Sequence, residues 1–151
     1  MSRQNSIARL ETFPARFRDL VTPLSPEDLA KRLPGEWSVL QIIHHVADSH
    51  INAMLRFKKP LTEDRPNLPN YDQDAFALLG DYDAPISWTL QILEGIHARL
   101  VRLLESLSEE QWQRTGLHPS WGEVTVEELA QRYADHGDNH IEQIQRTLAN
   151  A

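Results

Sequence analysis

Seven histidines punctuate a 151-residue chain that has no cysteine, and two of them, His136 and His140, stand four residues apart. Imidazoles at i and i+4 project from one side of a helix, so this pair suits two bonds to a single metal ion. A cluster far upstream, His44, His45 and His50, can bring a third nitrogen from another helix. Three imidazoles would leave one corner of a tetrahedral ion free for chemistry. The chain has no serine- or cysteine-centred nucleophile motif and no phosphate-cradling glycine loop. Any catalysis is therefore expected to run through the ion.

Positioning these side chains requires helices, and capping residues mark where they begin. A first helix is expected from about Ser6 to Val21, stopping before Thr22-Pro23. Ser25-Pro26 opens a short helix to about Arg32, with proline at the favoured first position. Ser38, with Gln41 three residues on, caps a long second helix to about Lys58 that Pro60 is expected to end. Helix three is expected from Pro85 to about Ser106. Ser108 with Gln111 starts a short turn, and Thr125 with Glu128 caps a last helix that runs almost to the C-terminus. A short helix is expected at about Asp72–Leu79, and the only extended signal lies around Glu123-Val124.

The connection from Pro60 to Pro85 is long beside the roughly two to eight residues usual in bundles. Such a link lets helix three run parallel to helix two. The expected fold is all-α: one domain over residues 1–151, a four-helix bundle in up-down-down-up order with a long crossover loop between helices two and three. The loop itself is a candidate rim for a site.

Helical periodicity places the histidines differently on their helices. On helix two His50 falls within the apolar stripe of Ile42, Ile43, Val46 and Phe57, His45 lies on its flank, and His44 points the other way. His136 and His140 line one flank of the last helix, in register with Leu129 and Tyr133. His97 sits centrally among Leu90, Leu93, Leu100 and Leu104 on helix three. Spacing alone thus leaves His45, His50 and His97 open as the third ligand. Gly137, on the buried face between the pair, is expected to allow close helix packing.

With 15 basic and 22 acidic residues the net charge is −7, and no basic stripe with interleaved aromatics offsets it, so nucleic-acid binding is not expected. No run approaches the ~18 apolar residues of a membrane span. The opening MSRQNSIARL lacks the apolar core of a signal peptide, and a cytoplasmic protein is expected. Without cysteine, any thiol chemistry needs a thiol carried by a small molecule.

The block EWSVLQIIHHVADSHINAMLRFKKPLTED, followed by NYDQDAF, ILEGIHARLVRLLESL, His118-Pro119 and His136-x-x-x-His140, resembles the DinB-like superfamily and within it the YfiT-like branch. The resemblance covers most of residues 25–148. It implies a four-helix bundle holding a divalent metal through three histidines, matched here by His45, His136 and His140. It also implies a thiol S-transferase of the bacillithiol type or a metal-dependent hydrolase, and a homodimer. Two departures stand out: a shorter N-terminus, and the acidic ADHGDNHIEQ where the family carries a histidine- and aromatic-rich run.

A bound thiol or water would ionise more readily on such an ion, and a thiolate could then attack an electrophilic small molecule. Zinc is the first choice, with nickel, manganese or iron able to use the same ligands. Asp48 and His50 are candidates to orient the imidazoles, His97 to act behind them or in the core, and Arg56 and Tyr71 to receive a polar substrate tail. Trp37 and Trp121 read as packing at the bundle ends. Thiol transfer is the leading expectation, metal-dependent hydrolysis the alternative, and a non-catalytic metal-binding or structural bundle the rival from another class.

Overall fold

The computed structural model describes residues 2–151. Four long helices form the body: α1 (Arg3–Val21), α3 (Val39–Thr62), α5 (Ile86–Glu105) and α7 (Val126–Asn150). Between them lie α2 (Pro26–Ala30), α4 (Gln73–Phe76), a 3-10 turn at Gly80–Asp83, α6 (Glu109–Trp112), and the strands β1 (Thr115–His118) and β2 (Gly122–Thr125). The caps close as their spacing predicts. Ser38 and Gln41, Ser108 and Gln111, and Thr125 and Glu128 each exchange side-chain and backbone hydrogen bonds in a capping box.

Contacts between helices fix their directions. Going up α3 and α5 together, His44 meets Thr89 and His50 meets His97, so these two helices run parallel. Along α3 and α7 the order reverses, with His50 beside His136 and Arg56 beside Tyr133. Along α1 and α7 it rises again, from Arg3–Glu127 to Arg9–Asp138. The bundle is thus up-down-down-up, with α1 and α3 on one diagonal and α5 and α7 on the other.

The crossover between α3 and α5 is stitched to the hairpin rather than free. Leu68 N–H donates to Leu117 C=O, and Leu117 N–H donates to Pro66 C=O, so Asn67 lies along β1 in a single parallel bridge to Leu117. The hairpin pairs Thr115 with Thr125 and His118 with Gly122 in antiparallel register. The sequence signalled only its second half, around Glu123-Val124, because two four-residue strands are too short for a period-two pattern.

Two helix boundaries and one side-chain placement differ from expectation. The first helix begins at Arg3, three residues before Ser6, because Ser2 Oγ caps it at Asn5 N–H. The second long helix does not end at Pro60 but runs to Thr62. Its last turn is held from the side: Thr62 Oγ1 donates to Lys58 C=O, Arg114 Nε to Pro60 C=O, and Glu63 N–H to Lys59 C=O. His44, expected on the outward side, is buried. Its Nε2 bonds Ala84 C=O at 2.9 Å and its Nδ1 meets Thr89 Oγ1 at 2.7 Å, tying α3 to the start of α5.

Two apolar clusters fill the bundle. One gathers Leu10, Phe57, Leu100, Leu104, Trp112 and Leu129 at the hairpin end. The other gathers Phe13, Phe17, Ile42, Ile43, Leu93 and Ile144 at the opposite end. Each such side chain, fully buried, contributes about 1.5–3 kcal/mol. Between the clusters lies a belt of histidines, and that interruption of the core marks the site.

Candidate metal centre

One nitrogen from each of His45, His136 and His140 lies within 4.8 Å of the other two. The ring centres are 4.3 Å apart for His136–His140, 4.8 Å for His45–His140 and 5.5 Å for His45–His136. α7 contributes two imidazoles because i and i+4 share a face, and α3 contributes the third because it runs antiparallel beside α7. The tight approach begins at Gly137. A Cβ there would lie 2.8 Å from the ring of Phe13, so glycine is what lets α1 close on α7 at this level, as expected for packing. Phe13 in turn stacks on His97 at 5.1 Å and lies 5.5 Å from His50.

Behind His136 runs a chain of hydrogen bonds. His136 Nδ1 and His50 Nε2 are 3.2 Å apart, His50 Nδ1 and His97 Nε2 2.6 Å, and His97 Nδ1 and Leu10 C=O 2.6 Å. The chain has a fixed sense. A carbonyl can only accept, so His97 donates from Nδ1; its Nε2 then accepts from His50, whose Nε2 accepts from His136. Leu10 C=O is free for this because its helical donor would be residue 14, and Pro14 has no N–H. Every proton in the series is placed by that one carbonyl, and His136 is left with an acceptor lone pair at Nε2, which Ser49 Oγ approaches to 3.4 Å.

His140 reaches the same state by another route. Its Nδ1 lies 2.7 Å from Gln143 Oε1 and donates to it, leaving Nε2 bare. Those two Nε2 atoms face each other at 3.0 Å. Two lone pairs at that separation repel unless a cation lies between or beside them. His45 Nδ1, buried, has no hydrogen-bond partner at all among the described residues. Such orphaned acceptors and donors are rare in native interiors and usually mark an ion or water site. The residues therefore fit a divalent ion.

The protonation states agree. Burial pushes His45 down to about 3, with the neighbouring His140 adding to the effect. Burial lowers His136, His50 and His140 as well, and His97 to about 4. All five imidazoles are neutral near pH 7, the state a metal requires of its ligands.

The remaining expected site residues divide. Asp48 accepts a hydrogen bond from Tyr82 Oη at 2.7 Å and makes none with the three imidazoles. Arg56 and Tyr71 line a cavity of about 470 Å³ that His136 borders. Arg56 is buried, with Nε on Pro69 C=O, Nη1 on Tyr133 Oη and Nη2 on Asn70 Oδ1. Burial pushes the Tyr71 phenol up to about 12, keeping it neutral. Trp37 does more than pack, for its ring lies 4.7 Å from that of His45. The cavity also holds Ser49, Trp121, Arg132 and Tyr133, none of which the sequence singled out for a site. A usable signal existed for Arg132, which precedes His136 by one helical turn.

Comparison with known proteins agrees with this geometry. The DinB superfamily profile matches residues 9–144. The chain belongs to the DinB superfamily. Within it, a protein of Halalkalibacterium halodurans named “Putative metal-dependent hydrolase” is 38% identical over 143 residues, spanning 94% of this chain and 84% of its own length. An Oceanobacillus iheyensis protein of the same name is 34% identical over 145 residues, covering 95% and 84%. Among solved structures, YfiT of Bacillus subtilis, described as “a probable metal-dependent hydrolase with an unusual four-helix bundle topology”, superposes with TM-score 0.93 at 33% identity, covering 97% of this chain and 87% of that one. A mycothiol-dependent maleylpyruvate isomerase shares the fold at TM-score 0.72 and 15% identity, over 93% of this chain and 60% of its own. This DinB-superfamily chain has no helix, among the described residues, long and apolar enough to cross a membrane.

Proposed function

We propose that this chain is a divalent-metal-dependent enzyme in which His45, His136 and His140 hold the ion and the substrate enters through the cavity beside His136. The observation that carries the reading is the pair of unprotonated Nε2 atoms facing each other 3.0 Å apart on His136 and His140. Zinc suits three neutral imidazoles best, with nickel, manganese and iron as the other candidates. When bound, the ion supplies a Lewis acid that lowers the pKa of a thiol or water in its open position.

Thiol transfer to an electrophilic small molecule is the reaction this cavity supports best. Of the residues lining it, Asp135 is the one carboxylate, and it is committed to Arg9 at 2.8 Å. No lining carboxylate is thus poised as a general base, which water requires more than an intrinsically acidic thiol does. His136 and His140 keep their lone pairs at the centre, the aromatic rings of Trp37 and Tyr133 pack against His45 and His136, and Arg56 borders the substrate end. Metal-dependent hydrolysis is the second reading, favoured by the names of the relatives described above.

Zinc-loaded protein incubated with 1-chloro-2,4-dinitrobenzene, with and without a low-molecular-weight thiol, separates the two. Transfer predicts a thioether product only when thiol and metal are both present. Consumption of a model ester at equal rates with and without thiol would reject transfer in favour of hydrolysis. Failure to retain zinc would reject both.

A further inference from the structure

Charge in the substrate cavity is unbalanced in a way the metal centre does not explain. Five arginines elsewhere, Arg3, Arg9, Arg16, Arg65 and Arg146, pair with carboxylates. The other seven have no carboxylate partner among the described residues: Arg18, Arg32, Arg99, Arg102 and Arg132 are exposed, Arg114 is half-buried on two backbone carbonyls, and Arg56 alone is buried. Arg56 is 6% exposed, and its three hydrogen bonds go to neutral oxygens. Arg132 makes no hydrogen bond or ion pair among the described residues, and its guanidinium lies 4.5 Å from the centre of the Trp121 ring. Arg56 lies 5.5 Å from the same ring, which itself stacks on His118 at 3.8 Å.

Two cations are thus held around one indole, in a chain with a net charge of −7 and 22 acidic residues to draw on. For Arg56, a buried guanidinium without an anion is costly, and sequences normally place a carboxylate beside it; Arg132 is exposed and adds a second positive charge at the same ring. The one carboxylate among the lining residues, Asp135, is turned to Arg9. Arg56 Nη1 and Nη2 each carry a second N–H, so the pair retains donors for a planar or tetrahedral oxyanion. The cavity's other wall is flat and aromatic, which suits an apolar body attached to that head.

We infer that Arg56 and Arg132 form a receptor for an oxyanion head group, carboxylate or phosphate, on the small molecule that the His45, His136 and His140 centre acts on. This rests on the metal-dependent reading for its purpose, but the receptor can be measured separately. It restricts substrates or cosubstrates to anions whose reactive atom lies a short chain away from the charged head. Neutral molecules of the same shape enter poorly.

The test is calorimetric titration with 3-phenylpropanoate, phenyl phosphate and the neutral 3-phenylpropanamide, on zinc-loaded and metal-free protein. At least one anion is expected to bind about tenfold or more tightly than the amide in both forms. Which anion binds tighter decides between carboxylate and phosphate. Arg132→Gln is expected to remove the preference while leaving the melting temperature near that of the parent, and Arg56→Lys to weaken it by losing the planar fork. Equal binding of anions and amide, no binding below about 10 mM, or a preference unchanged in Arg132→Gln would overturn the receptor. A preference seen only with zinc would place the anion on the ion and would overturn it too. A zinc titration of the same samples reads the metal centre independently, so loss of one leaves the other standing.

Discussion

Five histidines share one belt of this bundle, yet they behave as two groups. His50 and His97 have both ring nitrogens engaged, in a line that ends on the Leu10 carbonyl. His45, His136 and His140 bring nitrogens within 4.8 Å of one another, with Ser49 Oγ beside them at 3.4 Å from His136 Nε2, and His45 Nδ1 has no partner among the described residues. Residue type is the same in both groups and burial overlaps, His45 being as buried as His50 while His136 and His140 are half-buried, so neither by itself distinguishes a ligand from a support. The distinction is whether each lone pair has a proton to meet. In the first group it does; in the second the converging lone pairs suit a cation.

The comparison can be broken at several points. His140→Ala should have the largest effect, because it removes one of the converging lone pairs. At free zinc about a thousandfold above its Kd, the parent gains about 4 kcal/mol, or roughly 10 °C in Tm. That gain should vanish in the variant, and a zinc-induced shift that persists would place the ion elsewhere.

Acid should act next. His45 and His97 have folded pKa values of about 3 and about 4, below the unfolded value near 6.5. The unfolded chain therefore binds more protons between these limits, and stability falls as pH drops from 6.5 toward 4. Tm of metal-free protein at pH 7.5, 6 and 5 should decline, steepest below 6.5. A flat profile would mean that the imidazoles are not held neutral by burial.

Replacing His97 by Phe attacks the supporting group while sparing the ligands. It leaves His50 Nδ1 without its acceptor and frees the tautomer of His136, so zinc affinity should fall about 10–100-fold without disappearing. Competition with a chromogenic chelator measures it. Pro14→Ala is a finer version. It returns an N–H to Leu10 C=O, so the metal-free Tm should rise while zinc affinity drops by about two- to fivefold. Opposite signs from one substitution are hard to obtain unless that carbonyl governs the chain. Gly137→Ala should cost about 1 kcal/mol, or about 3 °C, as crowding against Phe13 outweighs the gain in helix propensity.

Much of the scaffold was legible because its signals are local. Ser38-Gln41 and Thr125-Glu128 start α3 and α7 through contacts spanning three residues, which sequence displays directly. The length of the Pro60–Pro85 link implied parallel α3 and α5, and His44–Thr89 with His50–His97 show that direction. Pro60 misled because the bonds that rescue the helix beyond it come partly from Arg114, fifty-four residues away. The hairpin was half visible, and with it went Trp121, which spacing placed at the bundle end and the fold places between two arginines.

By itself the sequence determined which side chains share a face: His136 with His140, and Arg132 with His136, are set by 3.6 residues per turn. It could not decide whether His45 or His50 turns toward that pair, since the two lie on neighbouring parts of one helix surface. Only the packing of α1, α3, α5 and α7 decided that. Proline frees a carbonyl on α1, and a histidine on α5 takes it up. The lone pair that results appears on α7, three hydrogen bonds away.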